Sequence, residues 1–351
     1  LSFNKLDGPI PPELGNLAAL QHLDLGGNAL SGNIPPELGD LRQLQWLRLS
    51  QNYITGHIPP QLGNLGALQY LYLDNSKLDG DIPPELGALS ELQDLRLNGN
   101  KLKGAIPAQL GALNKLKWLD LSNNQLSGST PKELGSLSKL KELWLSDNRL
   151  TGHIPPQLGN LGALQYLYLD DNKLDGFIPK ELGALSELKR LLLGGNRLTG
   201  PIPSELGHLS ALKELYLTNN ELSEIPPEVL ELCRGSLSKP SWEDNPWSRP
   251  PSTVLGSGFE RALGWWEDVK RFGEGKSNKL KMVLVGLAEA GKTTVVRNFT
   301  GRPVPKRDDR TVGIEITPEW KPAAHIPLQI SVWDFAGQAD YYSSHQLFLT
   351  K

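Results

Sequence analysis

The sequence predicts an α/β protein: a horseshoe solenoid of short parallel strands, followed by part of a phosphate-binding α/β domain. Three observations predict it. Leucine and asparagine recur with a 24-residue period from Asn4 to Asn220, and a fixed period of that length marks a leucine-rich solenoid. A hydrophobic run, Leu280 to Val285, leads directly into Gly286-Leu287-Ala288-Glu289-Ala290-Gly291-Lys292-Thr293, a phosphate-loop pattern. A second hydrophobic run, Ile330 to Trp333, ends in Asp334-Phe335-Ala336-Gly337-Gln338.

Each repeat reads L-x-x-L-x-L-x-x-N-x-L-x-G-x-I-P-x-x-L-G-x-L, as from Leu20 to Leu41. The L-x-L core is a short strand whose side chains alternate between interior and surface. Leu20, Leu23 and Leu25 are expected in the core, with His22 and Asp24 on the concave side. The asparagine (Asn28, Asn52, Asn100, Asn124, Asn148, Asn172, Asn196 and Asn220) is expected to bond backbone groups of neighbouring coils that burial would otherwise leave unpaired. Ser76 replaces it in one repeat, and Thr130 replaces the usual isoleucine in another; both are expected to be local defects. The Ile-Pro and Leu-Gly pairs predict an extended segment and then a tight turn on the convex side. The 20 residues from Thr55 to Asp74 recur unchanged from Thr151 to Asp170, which indicates duplication of a block of repeats.

The strand positions place Trp46, Tyr70, Tyr72, Trp118, Trp144, Tyr166, Tyr168 and Tyr216 on the concave face, with Arg48 and Asp120 among them. Aromatics interspersed with charges suit protein recognition, and the competing reading is that the rings only cover neighbouring strands. Nucleic acid is disfavoured because Asp24, Asp74, Asp94, Asp120, Glu142, Asp170 and Glu214 lie on or beside the same face. The G-x-I-P form resembles the plant-type leucine-rich repeat over about two-thirds of the chain. The last unit, Leu222 to Pro226, is one residue short, and Asp244-Asn245-Pro246-Trp247 with Pro250-Pro251 looks like the closing cap of cytosolic arrays. Between Gly235 and Asn278 the repeat is expected to be gone. Phe259 to Phe272 predicts an amphipathic helix, with Leu263, Trp266 and Val269 on one side, that covers the solenoid end.

The composition narrows the setting. Net charge is -3 with a pI near 6.1, so there is no global nucleic-acid signature. Cys233 is the one cysteine, which favours a reducing, cytoplasmic location over a secreted one. The one glycosylation sequon, Asn298-Phe299-Thr300, falls where a glycan would disrupt the nucleotide segment, and no apolar run approaches the ~20 residues of a membrane span. A secreted plant-type receptor ectodomain would need paired cap cysteines and several sequons. With Met282 the only methionine, Leu1 is not expected to be the start of translation.

In the nucleotide segment, glycines let backbone amides wrap an anion, and a following helix N-terminus adds its dipole. Gly286, Glu289, Ala290, Gly291, Lys292, Thr293 and Thr294 are the candidate phosphate contacts. Lys292 is expected to reach the β- and γ-phosphates and the Thr293 hydroxyl to meet Mg²⁺. Asp334 places an acid near the metal, Gly337 an amide at the γ-phosphate, and Gln338 is the candidate catalytic residue that orients water. Thr311, 19 residues after Lys292, is spaced as a switch threonine that closes over the metal. These motifs, in this order, resemble a Ras-like GTPase. The run Trp333 to Gln338, with Tyr341-Tyr342 and His345 to Thr350, is similar to the Roc GTPase of the ROCO family, whose members often carry leucine-rich repeats before Roc and a COR dimerisation domain after it. The resemblance implies GTP/GDP and Mg²⁺ as cofactors, metal contacts through Thr293, Thr311 and Asp334, and a dimer through COR. No Asn-Lys-x-Asp base-reading motif is present, so guanine specificity is implied by the resemblance rather than read from residues.

The domains expected are therefore 1–232, the solenoid; 233–278, a cap and linker helix; and 279–351, a partial Roc or Ras-like GTPase domain. Without the rest of its sheet, this piece is expected to bind nucleotide weakly or not at all. Two functions stay open: a cytoplasmic GTP-dependent switch whose repeats recognise an unidentified protein, or an interaction module with an inactive GTPase remnant.

Overall fold

The computed structural model describes residues 1–272 and three further strands, Lys279–Leu284, Ile314–Ile316 and Gln329–Phe335. The chain divides into two compact units, Leu1–Trp266 and Glu267–Lys351.

In the first unit, ten three-residue strands, from His22–Asp24 to Lys239–Ser241, form one parallel sheet in sequence order. Register is unbroken: Leu23 pairs with Leu47, Leu47 with Leu71, and so on along the sheet. The middle leucine of each of the first nine strands points inward, so the leucines stack into one continuous core; Leu47, Leu71, Leu95 and Leu119 are all fully buried. The strands return through five-residue 3₁₀ helices such as Pro36–Asp40 and Lys132–Ser136. Leu20, in the first coil, packs on this core but is only partly buried.

Three details differ from the sequence reading. The segment before each Ile-Pro is itself strand in most coils, as in Lys77–Asp81 and Arg149–His153, and builds a second set of parallel pairings. Its glycine sits at φ near +75° at Gly56, Gly80 and Gly152, where only glycine is unstrained. The Leu-Gly glycine is needed for close approach rather than for a turn. A Cβ on Gly111 would lie 2.4 Å from the carbonyl oxygen of Glu133 on the next coil.

The asparagine ladder is as expected. Asn100 Oδ1 accepts the Leu78 N–H at 3.0 Å, and its Nδ2 donates to Leu73 and Leu97 carbonyls at 2.9 and 3.0 Å. The same set recurs at Asn52, Asn148, Asn172 and Asn196. Both expected defects are present: the hydroxyls of Ser76 and Thr130 are buried without a hydrogen-bond partner.

The repeat does not stop at Gly235. Strand Lys239–Ser241 pairs with Glu214–Tyr216, and Asn245 adds a rung by accepting the Leu222 N–H at 3.0 Å and donating to the Leu217 carbonyl at 2.8 Å. This half-coil satisfies backbone groups that the last strand would otherwise expose. The missing residue at Leu222–Pro226 appears as a register shift between Gly200 and Pro201. Trp247 closes the cap, its indole N–H on the Trp242 carbonyl at 2.8 Å. Helix Phe259–Phe272 follows, and its residues up to Trp266 pack against the solenoid core. Ala262 and Leu263 are buried, Val269 is half-buried, and the Trp266 indole donates to the Ile225 carbonyl at 2.9 Å. Arg234 clamps the helix start through Glu260 at 2.6 Å.

In the second unit, Lys279–Leu284 runs parallel to Gln329–Phe335, and Ile314–Ile316 pairs antiparallel on the other side of that central strand. The first and last strands were expected from their apolar runs. The antiparallel edge strand was not, because Ile314 read as the end of the switch segment.

Candidate recognition surface and nucleotide segment

The outward positions of the solenoid strands form two rows across the concave sheet. One row carries Trp46, Tyr70, Asp94, Trp118, Glu142, Tyr166, Arg190 and Glu214; the other carries Arg48, Tyr72, Arg96, Asp120, Trp144, Tyr168, Leu192 and Tyr216. All eight aromatics proposed from sequence lie on this face and all are half-buried. Six of them gather into two clusters. Trp46 lies 4.7 Å from Tyr70 and edge-on to Tyr72 at 5.1 Å, and Trp144 lies 4.8 Å from Tyr168. Stacking covers part of each ring, so surface coverage and an exposed aromatic face coexist.

The acids divide into two kinds. Asp94 is buried beneath the face: it accepts the Tyr72 hydroxyl at 2.9 Å and pairs with Arg96 at 2.8 Å, while Arg96 lies over the Tyr72 ring at 4.9 Å. Burial and the neighbouring Asp94 charge push the Tyr72 hydroxyl pKa up. Glu214 is held between Arg190 and Lys239, each at 3.1 Å. Those two acids are therefore structural, which the sequence did not distinguish. Asp120 and Asp170 have pKa values raised by burial, only partly offset by hydroxyl donors from Ser122 and Ser146. Among the described residues no helix is long and apolar enough to cross a membrane, and no His, Cys, Asp and Glu group could hold a metal ion. Cys233 is half-buried, with its thiol pushed up to about 11 by burial, which suits packing rather than reactivity.

Of the nucleotide candidates, Asp334 falls on a described strand. It stands near the C-terminal end of Gln329–Phe335, in register with Leu284, the last described residue before the glycine loop, and with Glu315 on the other side. Ligands of open α/β sheets bind outside the carboxyl ends of the strands, so the order places this acid at the expected edge. Gly286, Glu289, Ala290, Gly291, Lys292, Thr293, Thr294, Thr311, Gly337 and Gln338 lie outside the described residues.

Comparison with known proteins finds matches in both the repeat and the nucleotide segments. Residues 4–104 match a leucine-rich repeat region, residues 90–150, 138–198 and 211–233 match leucine rich repeats, and residues 281–351 match the Roc (Ras of Complex) domain of DAPkinase. A Roc-COR-CHAT protease from an unknown prokaryotic organism is 36% identical over 143 residues, covering 35% of this chain and 13% of that protein. A second, from Runella zeae, is 28% identical over 113 residues, covering 26% of this chain and 12% of that protein. The chain thus spans only a small part of these relatives. In structure it is similar to the ectodomain of the Arabidopsis thaliana receptor kinase GASSHO1/SCHENGEN3, solved with CASPARIAN STRIP INTEGRITY FACTOR 2. Sequence identity is 41% and the TM-score 0.68, over 70% of this chain and 32% of that one. A leucine-rich repeat protein of Leptospira interrogans shares 28% identity at a TM-score of 0.53, over 71% of this chain and 73% of that one. The chain is therefore a leucine-rich-repeat protein that carries a Roc domain after its repeats, the ROCO arrangement.

Proposed function

We propose that the chain is the recognition and nucleotide-switch portion of a cytoplasmic ROCO-type GTPase. Its concave face holds a protein or peptide partner, and its Roc segment binds and hydrolyses GTP. The observation that carries this reading is the Roc match at residues 281–351, immediately after an array whose concave face is lined with half-exposed aromatics. Two structural neighbours were solved in complex with a partner, GASSHO1/SCHENGEN3 with CASPARIAN STRIP INTEGRITY FACTOR 2 and the plant peptide hormone receptor RGFR1 with RGF2, which supports a protein or peptide partner here.

The donor set suits the cofactor. Thr293, Thr311 and Asp334 offer oxygen ligands, which hard cations such as Mg²⁺ require, and Asp334 stands at the sheet edge where phosphates bind. Bound there, Mg²⁺ would supply positive charge against the phosphates. Lys292 holds the β- and γ-phosphates, the Gly337 amide senses the γ-phosphate, and Gln338 orients the attacking water. Switching follows if Thr311 and Gly337 close only over the triphosphate. The relatives' names include COR, which supports a dimer built through such a domain in the full-length protein.

The test is nucleotide affinity and turnover of the full-length protein and its Lys292→Ala variant, with GTP and ATP in parallel. The expected result is GTP-selective turnover that falls by at least ~100-fold in the variant, the scale on which phosphate-charge stabilisation acts. Unchanged GTP hydrolysis in the variant would overturn the reading.

A further inference from the structure

One depression on the concave face is not filled by aromatic stacking. A cleft of about 160 Å³ is lined by Arg96, Trp118, Leu119, Asp120, Glu142 and Trp144. Its charge is unbalanced. Arg96 is bound to Asp94, and those two cancel. The Asp120 carboxylate accepts only from Ser122, through the backbone N–H at 3.0 Å and the hydroxyl at 2.6 Å. The Glu142 carboxylate has no hydrogen-bond or ion-pair partner among the described residues. Lys117, the nearest lysine in sequence to Trp118, is turned to Gln93 at 2.9 Å. Burial raises the Asp120 pKa by more than its Ser122 donors and the nearby Arg96 charge lower it. Two indoles share the lining, and the N–H of Trp144 is buried without an acceptor. Carboxylates and indoles lining one cleft are the chemistry that binds a guanidinium or an alkylammonium.

We propose that this cleft receives an arginine or lysine side chain from an extended segment of the protein partner. The proposal rests on the reading of the concave face as a recognition surface and refines it. The neighbouring groups set a spacing. Tyr70 and Tyr72 lie two strands to one side of Trp118 and Asp120, and Tyr166 and Tyr168 lie two strands to the other. At about 4.8 Å between strands, each pair stands roughly 10 Å away, the length of about three extended residues. The partner segment therefore carries a basic residue flanked, about three positions away on either side, by apolar or aromatic residues.

The experiment is selection of a random dodecapeptide phage library on the whole chain, followed by binding of the selected peptides with arginine or its neutral isostere citrulline at the basic position. The expected result is enrichment of one basic position with flanking apolar residues. Citrulline should then weaken binding about tenfold, Glu142→Lys should abolish the arginine preference, and thermal unfolding should be unchanged. Glu142→Gln, the milder change at the same half-exposed site, should reduce that preference in the same direction. Selected peptides that lack a basic position, and that lose binding in Tyr166→Ala, would overturn the cleft while leaving the recognition surface standing. Failure to select any peptide would overturn both.

Discussion

Restoring the broken rung of the asparagine ladder should stabilise the solenoid, and the gain can be worked from the neighbouring rungs. At an intact rung such as Asn100, one amide accepts a backbone N–H of the preceding coil and donates to two carbonyls, all within 2.9–3.0 Å. By the same spacing, Ser76→Asn would accept the Ile54 N–H and donate to the Leu49 and Leu73 carbonyls. It would also remove a buried hydroxyl that has no partner. Three hydrogen bonds at about 1 kcal/mol each, less about 1 kcal/mol to order the side chain, leave a gain of roughly 2 kcal/mol. For an array of this size, that is a rise in Tm of about 4–8 °C. Urea and thermal unfolding followed by circular dichroism would measure it, with Asn148→Ser as the inverse change at an intact, buried rung. If Asn148→Ser costs about 2 kcal/mol while Ser76→Asn gains nothing, the coil around Ser76 has its own geometry and the arithmetic fails. If both are neutral, the ladder itself does not hold the coils together.

Two other changes probe the packing and the concave face. Gly111→Ala should destabilise by about 3 kcal/mol, because its Cβ would meet backbone, not a movable side chain, on the next coil; an unfolding midpoint within error of the wild type would refute that account. Asp120 gives a pH prediction. Its folded-state pKa is raised by burial, so its ionisation costs stability as pH rises from the unfolded carboxylate pKa through the folded one. Relative to wild type, Asp120→Asn should therefore gain more stability at neutral pH than below the carboxylate range, where the carboxyl is protonated in both folded and unfolded states; an equal difference at both ends would show that Asp120 is not desolvated. A face that keeps such a cost is consistent with selection for binding rather than for stability.

Much of this was legible from period alone. The leucine positions fixed the core because a 24-residue coil offers each side chain only an inward or an outward direction, and the structure buries Leu47 and its counterparts accordingly. Three things were not legible. Asn245 lies outside the 24-residue period, so its role in closing the ladder shows only once strand Lys239–Ser241 is paired. The strand Ile314–Ile316 is too short for a hydrophobic pattern and is held by the central strand beside it. The split between structural and free acids depends on cross-strand partners, which a linear reading of Asp94 or Glu214 does not contain.

The duplicated block makes that last point concretely. Tyr70 and Tyr72 sit in the same 20-residue sequence as Tyr166 and Tyr168, so local sequence cannot distinguish the two pairs. Their neighbours can. Beside the first pair, the next strand brings Asp94, and the Tyr72 hydroxyl donates to it. Beside the second, the next strand brings Arg190, which donates to the Tyr168 hydroxyl at 3.2 Å. The strand before differs as well: it stacks Trp46 on Tyr70 in one case and Trp144 on Tyr168 in the other. Identical side chains thus become donor in one place and acceptor in another. In a solenoid, where each coil touches only its neighbours, binding chemistry is written between repeats rather than within them.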